Sequence, residues 1–128
     1  MVKDQVPTDT LVDYIRYCRD EKCIRDQLAI LTKGGREVPI EVEGLRFQID
    51  VATMDEAFEI KYDAQPYDGI GQALIYAIKG YEVWLIHVLD KYSGLYDNYV
   101  KLFKRLNLPF CVIVIDKKLG ASDKICPQ

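Results

Sequence analysis

Two runs of alternating apolar and polar residues, within residues 44–62, restrict the fold of this chain more than any other feature. A period of two residues is typical of a β-strand with one face against a core. A tight turn at Met54-Asp55 would pair the runs as an antiparallel hairpin. Asp50 then lies directly across from Glu59, with Cβ atoms roughly 5 Å apart. The apolar positions are Leu45, Phe47, Ile49 and Val51 in the first run and Phe58, Ile60 and Tyr62 in the second.

Two later runs, residues 81–89 and 110–115, are apolar almost without interruption. Such runs indicate strands that are covered on both faces, as in a parallel sheet. A helical pattern that begins at Ser93 separates them, so this unit predicts a right-handed strand–helix–strand crossover. A shorter alternating strand, residues 38–42, precedes the hairpin.

Two further helices are predicted. The first begins at Thr8 or Thr10 and continues to Gly34-Gly35, with Glu21 inside its apolar stripe. The second covers residues 69–79 and ends at Gly80. Its predicted core face carries Ile70, Leu74, Ala77 and Ile78, and its opposite face carries Gln72 and Tyr76.

The resulting order is αβββαβαβ, an α/β fold in which helices flank a mixed sheet with an antiparallel hairpin and a parallel half. A length of 128 residues predicts one domain, residues 1–128. Hydrophobic residues make up 49% of the chain and charged residues 29%, which excludes a disordered or fibrous protein.

The predicted hairpin gathers charged side chains on one face. Asp50 and Glu59 repel each other at this separation unless a cation lies between them. Their hard oxygen atoms suit Mg²⁺ or Mn²⁺. Lys61 follows Glu59 by two residues and therefore points to the same side of its strand. Two carboxylates and a lysine on one side of a strand pair are suited to metal-dependent cleavage of a phosphodiester.

The order Asp50, then Glu59-Ile60-Lys61, then a helix with Gln72 and Tyr76 four residues apart resembles the PD-(D/E)xK nuclease superfamily. The QxxxY element is similar to that of its RecB-like branch. The resemblance covers about residues 10–116, and Ile49 stands where a proline usually precedes the first acid. It implies a restriction-endonuclease-like fold and an enzyme that hydrolyses phosphodiester bonds of DNA with Mg²⁺ or Mn²⁺.

The resemblance also implies roles around the metal. Asp50 and Glu59 hold the ion, and the carbonyl of Ile60 completes its ligands. Lys61 orients or activates the attacking water and stabilises the charge that develops on the phosphate.

Three other residues enter through the resemblance. Gln72 and Tyr76 steady the lysine or the substrate phosphate. Glu21 matches an acid that many members supply from the first helix, as a further metal ligand. Asp20 or Asp26 replaces Glu21 if the helix is rotated slightly.

Plainer interpretations stay open. The acidic pair is also explained by an exposed edge hairpin, and the polar pair on the helix by a surface stripe. His87, in the middle of an apolar strand, is predicted to be a core histidine rather than a ligand. Asp90 and Asp116 follow the two buried strands, where α/β proteins often bind ligands, but turn residues are the expectation.

Two functions other than a nuclease are also open. A net charge of −3 and a pI near 5.2 are unusual for a DNA-binding protein. They favour dependence on a second copy of the chain or on another protein for DNA affinity. A non-catalytic DNA-binding or regulatory module is the first rival, and the intact set of Asp50, Glu59 and Lys61 counts against it. A small-ligand module is disfavoured, because no glycine-rich loop follows a strand. The residues that offer either phosphate contacts or a solvated face are Lys101, Lys104, Arg105, Lys117 and Lys118.

The sequence predicts a cytoplasmic protein without a membrane partner. No apolar run approaches the roughly 18 to 20 residues of a membrane span, and residues 1–10 lack the apolar segment of a signal peptide. The four cysteines are not spaced as an iron–sulfur or zinc site. A bridge between Cys18 and Cys23 is unusual in the cytosol, so buried or incidental thiols are expected.

Overall fold

The computed structural model describes residues 8–128, so part of the segment that bears on a signal peptide lies outside the described residues. The helices are α1 (Thr8–Tyr14), α2 (Glu21–Thr32), α3 (Ile70–Lys79) and α4 (Tyr96–Leu106). The strands are β1 (Gly35–Val42), β2 (Leu45–Ala52), β3 (Glu56–Tyr62), β4 (Glu82–Leu89), β5 (Cys111–Asp116) and β6 (Ala121–Ile125). Within this part of the chain, no helix is long and apolar enough to cross a membrane.

The strands form one six-stranded sheet in the order β1-β2-β3-β4-β5-β6. The first three strands are antiparallel, β3, β4 and β5 are parallel, and β6 returns antiparallel to β5. Helices α1 and α2 pack on one face of the sheet, and α3 and α4 pack on the other. The mixed α/β class predicted from the sequence is confirmed. Strand β6 was not predicted, since its residues, ASDKI, are mostly polar and it lies at an edge.

The β2–β3 hairpin has the turn and register that the alternation predicts. Thr53 N donates to the Glu56 carbonyl at 2.9 Å, which leaves Met54-Asp55 as a turn of two residues. The paired residues are Val51 with Phe58 and Ala52 with Ala57. The backbone ladder ends there, one position before Asp50.

Strand β2 changes direction at Asp50. Val51 packs with the α1–α2 core, whereas Ile49, two residues away, packs with the α3–α4 core. Residues two apart in a regular strand share a face, so the strand is irregular between them. The position opposite Asp50 in β1 is Glu37, which has a left-handed backbone with φ of 51° and is skipped in the β1–β2 pairing. This irregularity frees Asp50 from the ladder.

The single long N-terminal helix predicted from the sequence was wrong. The chain leaves the helix after Tyr14 and begins α2 at Glu21, with Asp20 as its N-cap. The Asp20 carboxylate accepts a hydrogen bond from Cys23 N at 2.9 Å. Such a side-chain hydrogen bond to the backbone competes with a continuous helix and favours the start of a new one. Glu21 therefore lies exposed in the first turn of α2 and not in a buried stripe.

The predicted core face of α3 was also wrong. The fully buried residues of this helix are Ala73 and Tyr76, while Ile78 is 72% exposed and Leu74 is partly exposed. Tyr76 faces the sheet because its hydroxyl finds acceptors there, which offsets the cost of burying a polar group. The sequence pattern predicted the opposite face because Ile70, Leu74, Ala77 and Ile78 are all aliphatic.

The expectation of free thiols was wrong as well. Cys18 is bonded to Cys23 and Cys111 to Cys126, and no cysteine in the described residues is free. The first bridge spans the break between α1 and α2, and the second ties the residue after β6 to the start of β5. Neither pairing has a spacing signature in the sequence. Such bridges persist in oxidising compartments and in the cytosol of hyperthermophiles.

Candidate active site

Past the end of the β2–β3 ladder, carboxylates take the place of the missing strand partner. Ile60 N donates to Asp50 Oδ2 at 2.8 Å, and Tyr62 N donates to Glu21 Oε2 at 3.2 Å. These two N–H groups lie about 7 Å apart along one edge of β3. The Ile60 carbonyl leaves the strand on the same side as the Ile60 N–H. Asp50, this carbonyl and Glu21 therefore share one short stretch of the β3 edge.

Glu59 is a buried carboxylate on the α3 side of β3, with 4% of its surface exposed. Tyr76 Oη lies 2.7 Å from Oε1, and Lys61 Nζ lies 3.4 Å from Oε2. Burial raises the pKa of the Glu59 carboxyl to about 7, and the charge of Asp50 adds to the rise. The contacts with Tyr76 and Lys61 act in the opposite direction.

The Tyr76 hydroxyl has two acceptors within reach. Besides Glu59, the Gln48 carbonyl lies 2.9 Å from Tyr76 Oη. A phenol has one proton and can donate it to one acceptor at a time. When Glu59 is protonated, its own O–H satisfies Tyr76 while Tyr76 donates to Gln48. When Glu59 is ionised, the Tyr76 proton turns to the carboxylate.

Asp50 is half-buried and electrostatically coupled to Glu59. Burial raises the pKa of Asp50, whereas the Ile60 N–H and then the Lys61 charge lower it. Each carboxylate therefore lies in an environment that penalises its charge, and the charge of Asp50 adds to the penalty on Glu59. A divalent cation is the ligand that relieves such a pair.

Gly69 positions Lys61, a role that the sequence did not reveal. A Cβ atom at Gly69 would lie 2.7 Å from Leu85 Cδ1 and 3.3 Å from both Cγ and Cε of Lys61. Gly69 also has a left-handed backbone, with φ of 91°, at the N-terminus of α3. The absence of a side chain at Gly69 therefore lets the backbone approach both Leu85 of β4 and the stem of Lys61. A glycine beside a helix start gives no sequence signal for this contact.

An open cleft of about 380 Å³ leads to Asp50. It is lined by Glu21, Lys22, Arg25, Glu37 and Asp50. Arg25 crosses the cleft, with ion pairs to Asp26 at 3.0 Å and to Glu37. Sequence reasoning missed Arg25, because the α1–α2 break that turns it toward Asp50 was not predicted.

The structure gathers most of the predicted site residues. Asp50, Glu59, Ile60 and Lys61 lie together, and Tyr76 touches Glu59. Glu21 reaches the same edge of β3, although from the start of α2 rather than from a buried stripe. Gln72 is exposed, one turn before Tyr76.

Three other candidate residues have structural partners. His87 is buried, its Nε2 lies 3.0 Å from the Asp68 carbonyl, and burial lowers its pKa to about 4. Its Nδ1 has no partner within the described residues. The Tyr62 hydroxyl donates to Asp90 at 2.7 Å. Asp116 is buried and accepts from Ser93 Oγ and from two N–H groups of the next turn.

Within residues 8–128, no three His, Cys, Asp or Glu side chains form a ready metal cluster. The three predicted carboxylate ligands, Asp50, Glu59 and Glu21, therefore do not converge as such a cluster, and the Ile60 carbonyl is the remaining predicted donor. Mg²⁺ is commonly held by one or two carboxylates together with water and substrate phosphate.

Comparison of the chain with models of known families, with curated proteins and with solved structures found no match.

Proposed function

We propose that this chain is a metal-dependent nuclease with a restriction-endonuclease-like core that hydrolyses phosphodiester bonds of DNA. The observation that carries the proposal is the buried Glu59, which contacts Lys61 and is coupled to Asp50 at the end of the β2–β3 ladder. The charge of the half-buried Asp50 beside the buried Glu59 costs stability, so a function that uses both acids is the simplest reason for the arrangement. The resemblance to PD-(D/E)xK nucleases supports the same conclusion.

The residues present fit a Mg²⁺ or Mn²⁺ ion. Asp50, Glu59 and the Ile60 carbonyl offer hard oxygen donors, and Glu21 lies on the same edge for an additional contact. Such an ion, when bound, supplies Lewis-acid stabilisation of phosphate charge and a more acidic water.

The chain's own residues complete the site. The Lys61 ammonium, held by Gly69 and Glu59, is placed to stabilise negative charge on a phosphate. Tyr76 fixes the rotamer of Glu59 through the hydroxyl contact. Arg25 is already paired with Asp26 and Glu37, so Lys22 is the cation of the cleft that is placed to contact a phosphate near Asp50.

The test is a cleavage assay on labelled linear, circular, single-stranded and branched DNA with Mg²⁺, Mn²⁺, Ca²⁺ or EDTA. Cleavage is expected with Mg²⁺ or Mn²⁺ and not with Ca²⁺ alone, since few protein ligands suit the tighter octahedral ion. Asp50→Ala should lose cleavage and also metal binding by calorimetry. Equal cleavage in excess EDTA would rule out the metal mechanism.

A non-catalytic DNA-binding or regulatory module is the second candidate. It is favoured by the full set of partners of Glu59, whose two oxygens already contact Tyr76 and Lys61. In that case DNA binds without cleavage, and calorimetry detects no Mg²⁺ or Mn²⁺ binding to the wild-type protein. Metal binding that Asp50→Ala abolishes would exclude this candidate.

A further inference from the structure

A row of cations follows the junction between α1 and α2. Arg16, Arg19, Lys22 and Arg25 recur every three residues across the break. Lys22 and Arg25 line the cleft at Asp50, and Arg19 and Lys22 line the adjoining surface with Tyr62. The row therefore reaches the candidate active site from outside.

The row continues across the ends of the parallel strands. Arg16 lines a surface groove together with Lys117 and Lys118, which follow β5. The Tyr62 hydroxyl and then the charges of Lys117, Lys118 and Arg19 hold the pKa of Asp90 below its ordinary value. Residues far apart in sequence thus form one basic band, defined here as Arg16, Arg19, Lys22, Lys117 and Lys118.

Part of this band is available to an anion. Arg19, Lys22 and Lys118 are exposed and make no ion pair within residues 8–128. Arg16 has a loose contact with Asp13 at 3.8 Å, and Lys117 lies 3.7 Å from Asp90. The exposed Arg16–Asp13 pair contributes little and exchanges readily for another anion, whereas Lys117 and Asp90 are largely covered.

The structure divides the basic group predicted from the sequence. Lys117 and Lys118 belong to the band, whereas Lys101, Lys104 and Arg105 lie on α4, which packs on the opposite face of the sheet. Lys104 lines a different groove, with Asn107, Lys124 and Gln128. The α4 cations therefore serve as a control of equal charge.

We propose that the basic band binds the phosphate backbone of one nucleic-acid strand and guides it to Asp50. From Lys118, after β5, to Asp50, in β2, the path crosses three strand spacings of the sheet and also runs back along the strands, because Asp50 lies level with Val112. The contacts are to phosphates, so binding is independent of base sequence. The guidance of the strand toward Asp50 rests on the proposed nuclease function, whereas the binding of the strand does not.

The test measures binding of a labelled oligonucleotide by fluorescence anisotropy in EDTA, over a range of salt concentrations. Arg19→Gln/Lys22→Gln/Lys118→Gln is compared with Lys101→Gln/Lys104→Gln/Arg105→Gln. Loss of three phosphate contacts should lower the slope of log affinity against log salt by about 2 to 3 and weaken binding at least about tenfold at 0.1 M salt. The α4 variant should bind like wild type, and circular dichroism should show both variants folded.

Equal losses in the two variants would overturn the proposal, because net charge and not the band would then set affinity. Loss of binding to anionic lipid vesicles in the band variant, without loss for the oligonucleotide, would also overturn it. The nuclease proposal is judged separately. If the wild-type protein cleaves DNA and the band variant binds normally, only the band proposal is refuted. If binding depends on the band but no metal supports cleavage, only the nuclease proposal is refuted.

Discussion

Lys61 places a positive charge 3.4 Å from the buried Glu59 carboxylate. Lys61→Ala should lower single-turnover DNA cleavage by roughly 10²- to 10³-fold, the usual effect of removing one charge-stabilising group. Metal affinity in calorimetry should persist, because Asp50 and Glu59 remain. Lys79→Ala is the matched control, since this exposed lysine contacts the Glu41 carbonyl on another surface. Wild-type cleavage by Lys61→Ala would remove the lysine from the site.

Tyr76 and Gln72 are one helical turn apart but belong to different environments. Tyr76→Phe removes the buried hydroxyl that serves Glu59 and Gln48, which should cost about 1–3 kcal/mol and lower the melting temperature by several degrees. Gln72→Ala alters an exposed position and should leave the melting temperature unchanged. Equal melting temperatures for both variants would show that the Tyr76 contacts are not stabilising.

Glu59 and His87 have opposite effects on stability over nearly the same pH range. Glu59 has its pKa raised from 4.5 to about 7, so its contribution is present below pH 4.5 and is lost as pH rises toward 7. His87 has its pKa lowered from 6.5 to about 4, so its contribution is present above pH 6.5 and is lost as pH falls toward 4. Each change corresponds to roughly 3 kcal/mol.

The two effects should largely cancel in the metal-free wild-type protein. Glu59→Gln should make the free energy of unfolding rise more steeply from pH 4 to 6.5, and His87→Gln should make it rise less or fall from pH 4.5 to 7. Urea unfolding at several pH values measures both slopes. Identical slopes in the two variants would contradict the opposed assignment.

At the scale of elements, the two disulfides should differ in what they support. Cys18–Cys23 closes a separation of 5 residues and Cys111–Cys126 one of 15, so their loss costs about 2 and about 3 kcal/mol. The first bridge holds the segment that brings Glu21 to Tyr62 N. Cys18→Ser/Cys23→Ser should therefore impair cleavage more and stability less than Cys111→Ser/Cys126→Ser. Cleavage assays and melting curves of both double variants test this prediction. Unimpaired cleavage by Cys18→Ser/Cys23→Ser would show that the first bridge is remote from the site.

The β2–β3 hairpin was predictable because alternation and a turn of two residues act within 20 residues of sequence. That register brings Asp50 next to Glu59, but the irregularity that releases Asp50 from the ladder was not predictable, because it depends on the left-handed Glu37 in β1. The break at Asp20, the buried face of α3 and the bridges were not predictable, because each depends on partners distant in sequence. The sequence pattern predicts Tyr76 to be a surface residue, because its acceptors, the Gln48 carbonyl and Glu59, lie far from it in sequence.

At the scale of the whole molecule, one sheet carries both apolar cores. Trp84 belongs to the α1–α2 core, and the next residue of the strand, Leu85, belongs to the α3–α4 core. Neither core survives without the sheet, so unfolding should be one cooperative transition. Trp84 fluorescence and far-ultraviolet circular dichroism should give coincident urea curves. Separate midpoints would mean that the two faces unfold independently.

Strand β1 forms an outer border of the sheet, where unpaired backbone groups invite a foreign strand. Two of its residues interrupt that border. Pro39 has no N–H to offer, and the left-handed Glu37 turns the backbone out of a straight line. The irregularity that frees Asp50 from the ladder thus also protects the protein from edge-to-edge aggregation.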